Sequence, residues 1–273
     1  MLSELVIEPE ALFHILSLAN LVIIDARSVE EYRKGHIVGA VSLHPSRLEQ
    51  EVTLENGSQV SRLVCEPESA TEALRDAGVS KESRVVIYDD GGDYLAARLF
   101  WILDYFSHPH VQILDGGLDG WRADVGIITR ELSVNEKGNF TPSPDESKRT
   151  DFFDLLTSIG QASMNLCNSL DEHEFAKGAI PGSVNLPYQK TYRESGYSRL
   201  RGTLELRSIF EHVGAKPDKE LIFYCGVGYS AAQTYFAAKA AGFSRVSLYD
   251  GSMEEWTARG GDLFPFGDPN KDS

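Results

Sequence analysis

Cysteine is scarce in this sequence: there are three in 273 residues, Cys65, Cys167 and Cys225, with no pair at metal-binding or redox spacing. That excludes a disulfide framework and a cysteine-based zinc site, and it fits a reducing compartment. Positive charge is also short, with 26 Lys and Arg against 41 Asp and Glu and a formal net charge of -15. Nucleic acid and anionic membrane surfaces both need a concentrated basic face, so neither is an expected partner. No apolar run is long enough to span a bilayer. The start Met1-Leu2-Ser3-Glu4 has no basic residue and Pro9 interrupts the short apolar run after it, so no signal peptide is read there and a cytoplasmic location is expected. None of the seven histidines has a spacing that suggests metal ligands or a cysteine–histidine pair. An anionic small substrate is still compatible with the acidic balance. Charges more than ~8 Å apart are largely screened at physiological salt, whereas amides inside a loop act at contact.

The most informative stretch is Leu221-Ile222-Phe223-Tyr224-Cys225-Gly226-Val227-Gly228-Tyr229-Ser230, followed by an alanine-rich run to Gly242. It reads as a short buried strand, a tight glycine-bracketed loop and a strong helix. Cys225 is thereby placed at the carboxyl end of a strand, facing a helix start. Unpaired amide groups of the loop and first helical turn favour negative charge there, so a nucleophilic thiolate is expected. A small apolar core residue is the plainer alternative, but it would leave the glycine-bracketed loop without a purpose.

The rest of the chain alternates strand and helix and repeats itself. Strands are expected at 21–24, near 41–43, at 85–88 and at 111–114, with helices around Pro9 to Leu18, Val29 to Lys34, Ser69 to Ala77 and Tyr94 to Phe106. The polar excursion after Leu43, through about Arg62, reads as loop. Gly35, Ile37, Gly39, Val41 and Leu43 recur 143 positions later as Gly178, Ile180, Gly182, Val184 and Leu186. Tyr88, Gly92, Ala96 and Phe100 recur 136 positions later as Tyr224, Gly228, Ala232 and Phe236. Val111, Asp115, Gly116 and Trp121 recur 135 positions later as Val246, Asp250, Gly251 and Trp256. Three blocks in one order imply two α/β domains of one fold, each a mostly parallel sheet flanked by helices. The expected division is 1–131 for the first domain, 132–150 for a polar linker with Pro142 and Pro144, and 151–273 for the second. The tail from Phe264 reads as irregular. At the place of Cys225 the first domain has Asp89, in Tyr88-Asp89-Asp90-Gly91-Gly92-Asp93, so only the second domain carries a nucleophile. A metal site at Asp89, Asp90 and Asp93 is less expected than solvated carboxylates, and no cofactor is required.

These residues carry a resemblance. Asp25-Ala26-Arg27, Gly35-His36-Ile37-Val38-Gly39-Ala40, Asp115-Gly116-Gly117-Leu118 with Trp121, Ile180-Pro181-Gly182-Ser183-Val184-Asn185, the Cys225 loop and Asp250-Gly251 with Trp256 together resemble the rhodanese superfamily. The likeness covers nearly the whole chain and points to tandem-domain sulfurtransferases that use thiosulfate or 3-mercaptopyruvate. It implies an inactive first domain with Asp89 in place of the catalytic cysteine. It implies that Cys225 accepts a sulfane sulfur from a small anionic donor as a persulfide and passes it to cyanide, a thiol or a protein sulfur acceptor. The amides of Gly226, Val227, Gly228, Tyr229 and Ser230 would cradle the transferred sulfur.

Two positions depart from the family pattern. The third loop residue, often Lys in thiosulfate users and Ser in mercaptopyruvate users, is Val227 here. Asp25-Ala26-Arg27 corresponds to Asn168-Ser169-Leu170, so a donor-binding arginine is missing from the second domain, and Arg193, Arg199 and Arg201 are the nearby substitutes in sequence. The donor is left open between the two. A slow persulfide carrier or regulatory module is the alternative. A cysteine phosphatase is disfavoured because Ala231 stands where such a loop closes with an arginine.

Overall fold

The computed structural model describes residues 2–161, 163–195, 197–216 and 219–264. The tail beyond Phe264, expected to be irregular, lies outside the described residues. The chain divides into two compact units, each assembled from three segments. One comprises Met1–Glu49, Val64–Asp145 and Tyr192–Gly202, and the other Gln50–Leu63, Glu146–Thr191 and Thr203–Ser273.

Each unit holds a five-stranded sheet in which all pairings are parallel. In the first the strand order is Val6–Ile7, Val111–Leu114, Arg84–Tyr88, Leu21–Asp25, Ala40–Ser42. In the second it is Arg149–Thr150, Val246–Tyr249, Glu220–Tyr224, Met164–Asn168, Ser183–Asn185. The two orders are the same, as the repeat predicts. Near-continuous apolar strands such as Leu221-Ile222-Phe223-Tyr224 suit a parallel sheet covered by helices on both faces. A helix fills that role in each unit at the same place, Leu95–Tyr105 in the first and Tyr229–Ala240 in the second, and both are buried along most of their length.

Equivalent hydrogen bonds superimpose the two units. The Tyr88 hydroxyl accepts the Ile37 amide at 3.2 Å, and the Tyr224 hydroxyl accepts the Ile180 amide at 3.1 Å. The Trp121 indole donates to the Ile127 carbonyl at 2.6 Å, and the Trp256 indole to that of Asp262 at 2.9 Å. Trp121 and Trp256 are each 1 % exposed or less and anchor the core of their own unit.

The stretch through Arg62 is not loop. After a 3-10 turn at Pro45–Leu48 it forms a β-hairpin of Glu49–Thr53 and Gln59–Val64. Leu54, Val60 and Leu63 form a small buried cluster with Val52 and Ala258 against it. Its apolar residues are diluted by Glu, Gln, Asn and Ser, so its period is hidden until the second unit supplies a face to bury it.

Candidate functional site

Cys225 follows the buried strand Glu220–Tyr224, and the helix Tyr229–Ala240 begins four residues later. Gly228 makes that turn possible: it caps the helix at φ 86, a left-handed conformation that glycine adopts without steric cost. The helix stops at Gly242, φ 90, where the Gly242 amide returns to the Lys239 carbonyl and that of Phe243 to Ala238. Alanines on every side let it lie close to the sheet.

The cysteine is 2 % exposed, beneath the half-buried Gly226, Val227 and Ser230. Its sulfur accepts a hydrogen bond from the Gly228 N–H at 3.1 Å. A β-carbon added at Gly226 would meet nothing within 4 Å, so the loop is open on that side. The backbone around the nucleophile is held from below. The Cys225 N–H donates to the Ser252 hydroxyl at 3.1 Å, and that hydroxyl donates to the Tyr249 carbonyl at 2.9 Å. Met253 N–H donates to the Cys225 carbonyl and Glu254 N–H to the Gly226 carbonyl, both at 3.0 Å. A donor on the sulfur and a braced, glycine-permitted loop suit a cysteine that forms and breaks a covalent bond. Ala231, in the first helical turn, is fully buried, so no guanidinium closes the loop in the manner of a phosphatase.

The first unit reproduces this scaffold around Asp89. The Leu118 amide donates to the Asp89 carbonyl at 2.8 Å and that of Asp119 to the Asp90 carbonyl at 3.0 Å, matching Met253 and Glu254. The Asp89 carboxylate, 5 % exposed, accepts the Gly91 and Ala96 amides at 2.9 and 3.0 Å. Burial pushes its pKa up to about 6. Asp90 pairs with Arg27 at 2.9 Å, and Asp93 accepts the Tyr94 amide at 2.8 Å. The three carboxylates therefore serve separate partners, and no cluster of three or more metal-ligating side chains occurs among the described residues.

Arg27 is 3 % exposed and bidentate to Asp25, at 2.9 and 2.7 Å. The equivalent backbone of the second unit is superposable: Arg27 N–H meets Asp25 Oδ1 at 3.0 Å, and Leu170 N–H meets Asn168 Oδ1 at 2.8 Å. Asn168 and Leu170 thus stand where the first unit has the ion pair of Asp25 and Arg27. Removing one member of a buried ion pair costs about 3–5 kcal/mol, whereas replacing both with neutral groups can be close to neutral.

The three arginines named from the sequence lie on one short segment. Arg193, Arg199 and Arg201 lie on or just after the hairpin Tyr192–Ser195 and Tyr197–Leu200, in the segment that belongs to the first unit. Arg199 pairs there with Glu8 at 2.6 Å and Asp124 at 2.7 Å, and with the Tyr197 hydroxyl. Arg193 is exposed and Arg201 half-buried. Of the other cysteines, Cys167 is 3 % exposed within a sheet strand and Cys65 6 % exposed, and burial raises their pKa values to about 12 and about 11.

Two residues that touch the cysteine loop or the helix after it are not legible as such in the sequence. Ser252 holds φ 50, a left-handed conformation rare outside glycine, and its counterpart is Gly117 at φ 56. The doublet Gly116-Gly117 against Gly251-Ser252 is the only sequence signal for it. Arg62 sits with its guanidinium carbon 5.5 Å from the centre of the Tyr229 ring, at the start of the loop helix. No local pattern announces that contact, because it depends on where a distant hairpin packs.

A model of the rhodanese-like domain matches residues 8–124 and again 155–259. The chain is 31 % identical to a thiosulfate sulfurtransferase of Pseudomonas aeruginosa over 92 % of its length and 93 % of the relative's. It is 29 % identical to a 3-mercaptopyruvate sulfurtransferase of Escherichia coli over 86 % of its length and 85 % of the relative's. The solved structure of the 3-mercaptopyruvate sulfotransferase SseA from Escherichia coli superposes with a TM-score of 0.81 at 28 % identity, covering 90 % of this chain and 97 % of that one. With both matched segments carrying the same sheet order and the same loop scaffold, the chain belongs to the rhodanese-like family and contains two copies of its domain.

Proposed function

We propose that this protein is a sulfurtransferase that takes a sulfane sulfur from thiosulfate or 3-mercaptopyruvate onto Cys225 and delivers it to a thiophilic acceptor. The observation that carries the reading is the Gly228 N–H on the Cys225 sulfur at 3.1 Å, in a loop whose counterpart in the first unit has the Asp89 carboxylate in place of the thiol. The Cys225 thiolate attacks the outer sulfur of thiosulfate, the S–S bond breaks, and its electron pair leaves with sulfite. With 3-mercaptopyruvate the C–S bond breaks instead, and the carbon fragment takes up a proton to become pyruvate. An acceptor thiolate or cyanide then attacks the outer sulfur of the persulfide and returns the Cys225 thiolate. Both half-reactions balance without a redox cofactor.

The amides of Gly226, Val227, Gly228, Tyr229 and Ser230 supply the cradle for the transferred sulfur and its charge. Arg193 and Arg201 are assigned as donor-binding candidates on sequence position, and substituting each with Gln tests the assignment through the donor KM. The acceptor is cyanide, a small thiol or a protein thiol, since all three present the same nucleophile. The acidic balance and the absence of a membrane-crossing helix among the described residues fit a protein that works on small anions in a reducing cytoplasm and not on nucleic acid or a membrane.

Incubation with each donor, followed by mass spectrometry, is expected to show one added sulfur on Cys225, absent from Cys225→Ala. No adduct with either donor overturns the reading. A clean persulfide with negligible steady-state turnover points instead to a persulfide carrier, the reading favoured by Leu170 and Val227 in place of cations.

A further inference from the structure

The loop of the second unit carries an apolar residue at both positions where a donor anion would meet a cation, Val227 and Leu170. A guanidinium reaches the loop from another part of the chain. Arg62, in the hairpin strand Gln59–Val64, places its guanidinium carbon 5.5 Å from the ring centre of Tyr229, the fourth residue after Cys225. Arg62 is exposed to solvent. Its backbone turns to φ 58 in the middle of a strand, and this departure from extended geometry accompanies the turn of its side chain onto the ring.

Three contacts fix that arrangement within the second unit. The Ser61 N–H and hydroxyl donate to the Glu254 carboxylate at 2.9 and 3.0 Å. The Asn56 amide group donates to the Ala258 carbonyl at 2.7 Å. Glu254 itself donates its backbone N–H to the Gly226 carbonyl, so the helix that grips the hairpin also grips the loop. The hairpin that carries Arg62 is therefore tied to the same helix as the cysteine loop.

We propose that Arg62 binds the anionic end of the sulfur donor, the sulfonate of thiosulfate or the carboxylate of 3-mercaptopyruvate, and replaces the cations absent at Val227 and Leu170. A planar guanidinium offers two parallel donors to either oxyanion, and stacking on Tyr229 orients it at little entropic cost. The inference rests on the sulfurtransferase reading for its substrate, but the anion site is testable without turnover.

The full chain is compared with Arg62→Gln and Arg62→Lys. Arg62→Gln is expected to raise the donor KM by about tenfold or more with kcat at saturation changed by less than about twofold, and Arg62→Lys to recover part of the loss. Sulfate, an unreactive stand-in for the donor's oxyanion, is expected to protect Cys225 from iodoacetamide in the parent protein and to fail in Arg62→Gln. An unchanged KM, or equal sulfate protection in both proteins, overturns the assignment of Arg62. Arg62-dependent protection in a protein that forms no persulfide with either donor would instead retain the anion site and reject sulfur transfer.

Discussion

The Ser252 hydroxyl accepts the amide N–H of Cys225 at 3.1 Å from a backbone held at φ 50. In the first unit the same position is Gly117, where an added β-carbon would lie 2.6 Å from the Asp89 carbonyl oxygen. The second unit therefore carries a serine in a glycine conformation, and that serine touches the backbone of the nucleophile.

Ser252→Ala is expected to slow persulfide formation by about fivefold, the effect of one lost hydrogen bond of about 1 kcal/mol. Ser252→Gly removes the same hydroxyl but relieves the left-handed strain, so its stability should exceed that of Ser252→Ala while its rate defect matches. Single-turnover kinetics beside urea unfolding separates the two. Equal rates in the parent and both variants would show that the hydroxyl only fills space.

Leu170→Arg alone would place a guanidinium beside Asn168, whose Nδ2 is already buried without a hydrogen-bond partner. The expected result is a destabilised second unit, with Asn168→Asp and Leu170→Arg together recovering the pair seen at Asp25 and Arg27. A double-mutant cycle by urea unfolding should give a favourable coupling of about 2 kcal/mol. Additive effects would mean that the two side chains do not interact in the second unit.

Burial raises Asp89 to about 6, above the value near 3.9 of an aspartate in the unfolded chain. Between about pH 4 and 6 the folded first unit thus holds a proton that the unfolded chain has released, and the stability this contributes is full below that window and lost as pH rises through it. Unfolding free energy from urea titrations should fall across the window in the parent relative to Asp89→Asn, by about 3 kcal/mol in total. Parallel profiles for the two proteins would remove Asp89 as the source.

Trp121→Ala and Trp256→Ala each open a large void in a different core cluster. Each is expected to cost about 3–5 kcal/mol. Limited proteolysis with peptide mapping should find the first cuts in the unit that carries the substitution. Cuts distributed identically in both variants would argue that the units unfold as one.

Much of the architecture was legible in the chain because its signals are local. Apolar runs such as Val85-Val86-Ile87-Tyr88 and Leu221-Ile222-Phe223-Tyr224, each followed by a glycine-bearing loop and an apolar helix, mark strand, turn and helix without reference to anything distant. The repeat added an internal comparison, so that Asp89 against Cys225 identified the reactive copy. The hairpin at 49–64 escaped notice because Val52, Leu54, Val60 and Leu63 are spaced among polar residues and pack with Ala258, far along the chain.

The sequence by itself determined two copies of one α/β domain, a single glycine-bracketed cysteine, and Asn168 and Leu170 at the places that Asp25 and Arg27 hold in the first copy. These are matters of residue identity and short-range spacing. Only the tertiary structure decided that Arg193, Arg199 and Arg201 go with the first unit while Arg62, from the opposite half of the sequence, stacks on Tyr229 beside the cysteine loop. The reason is that a side chain's neighbours across the fold depend on which segments pack together, here through Ser61 and Glu254, and no local pattern records a contact between residues 193 positions apart.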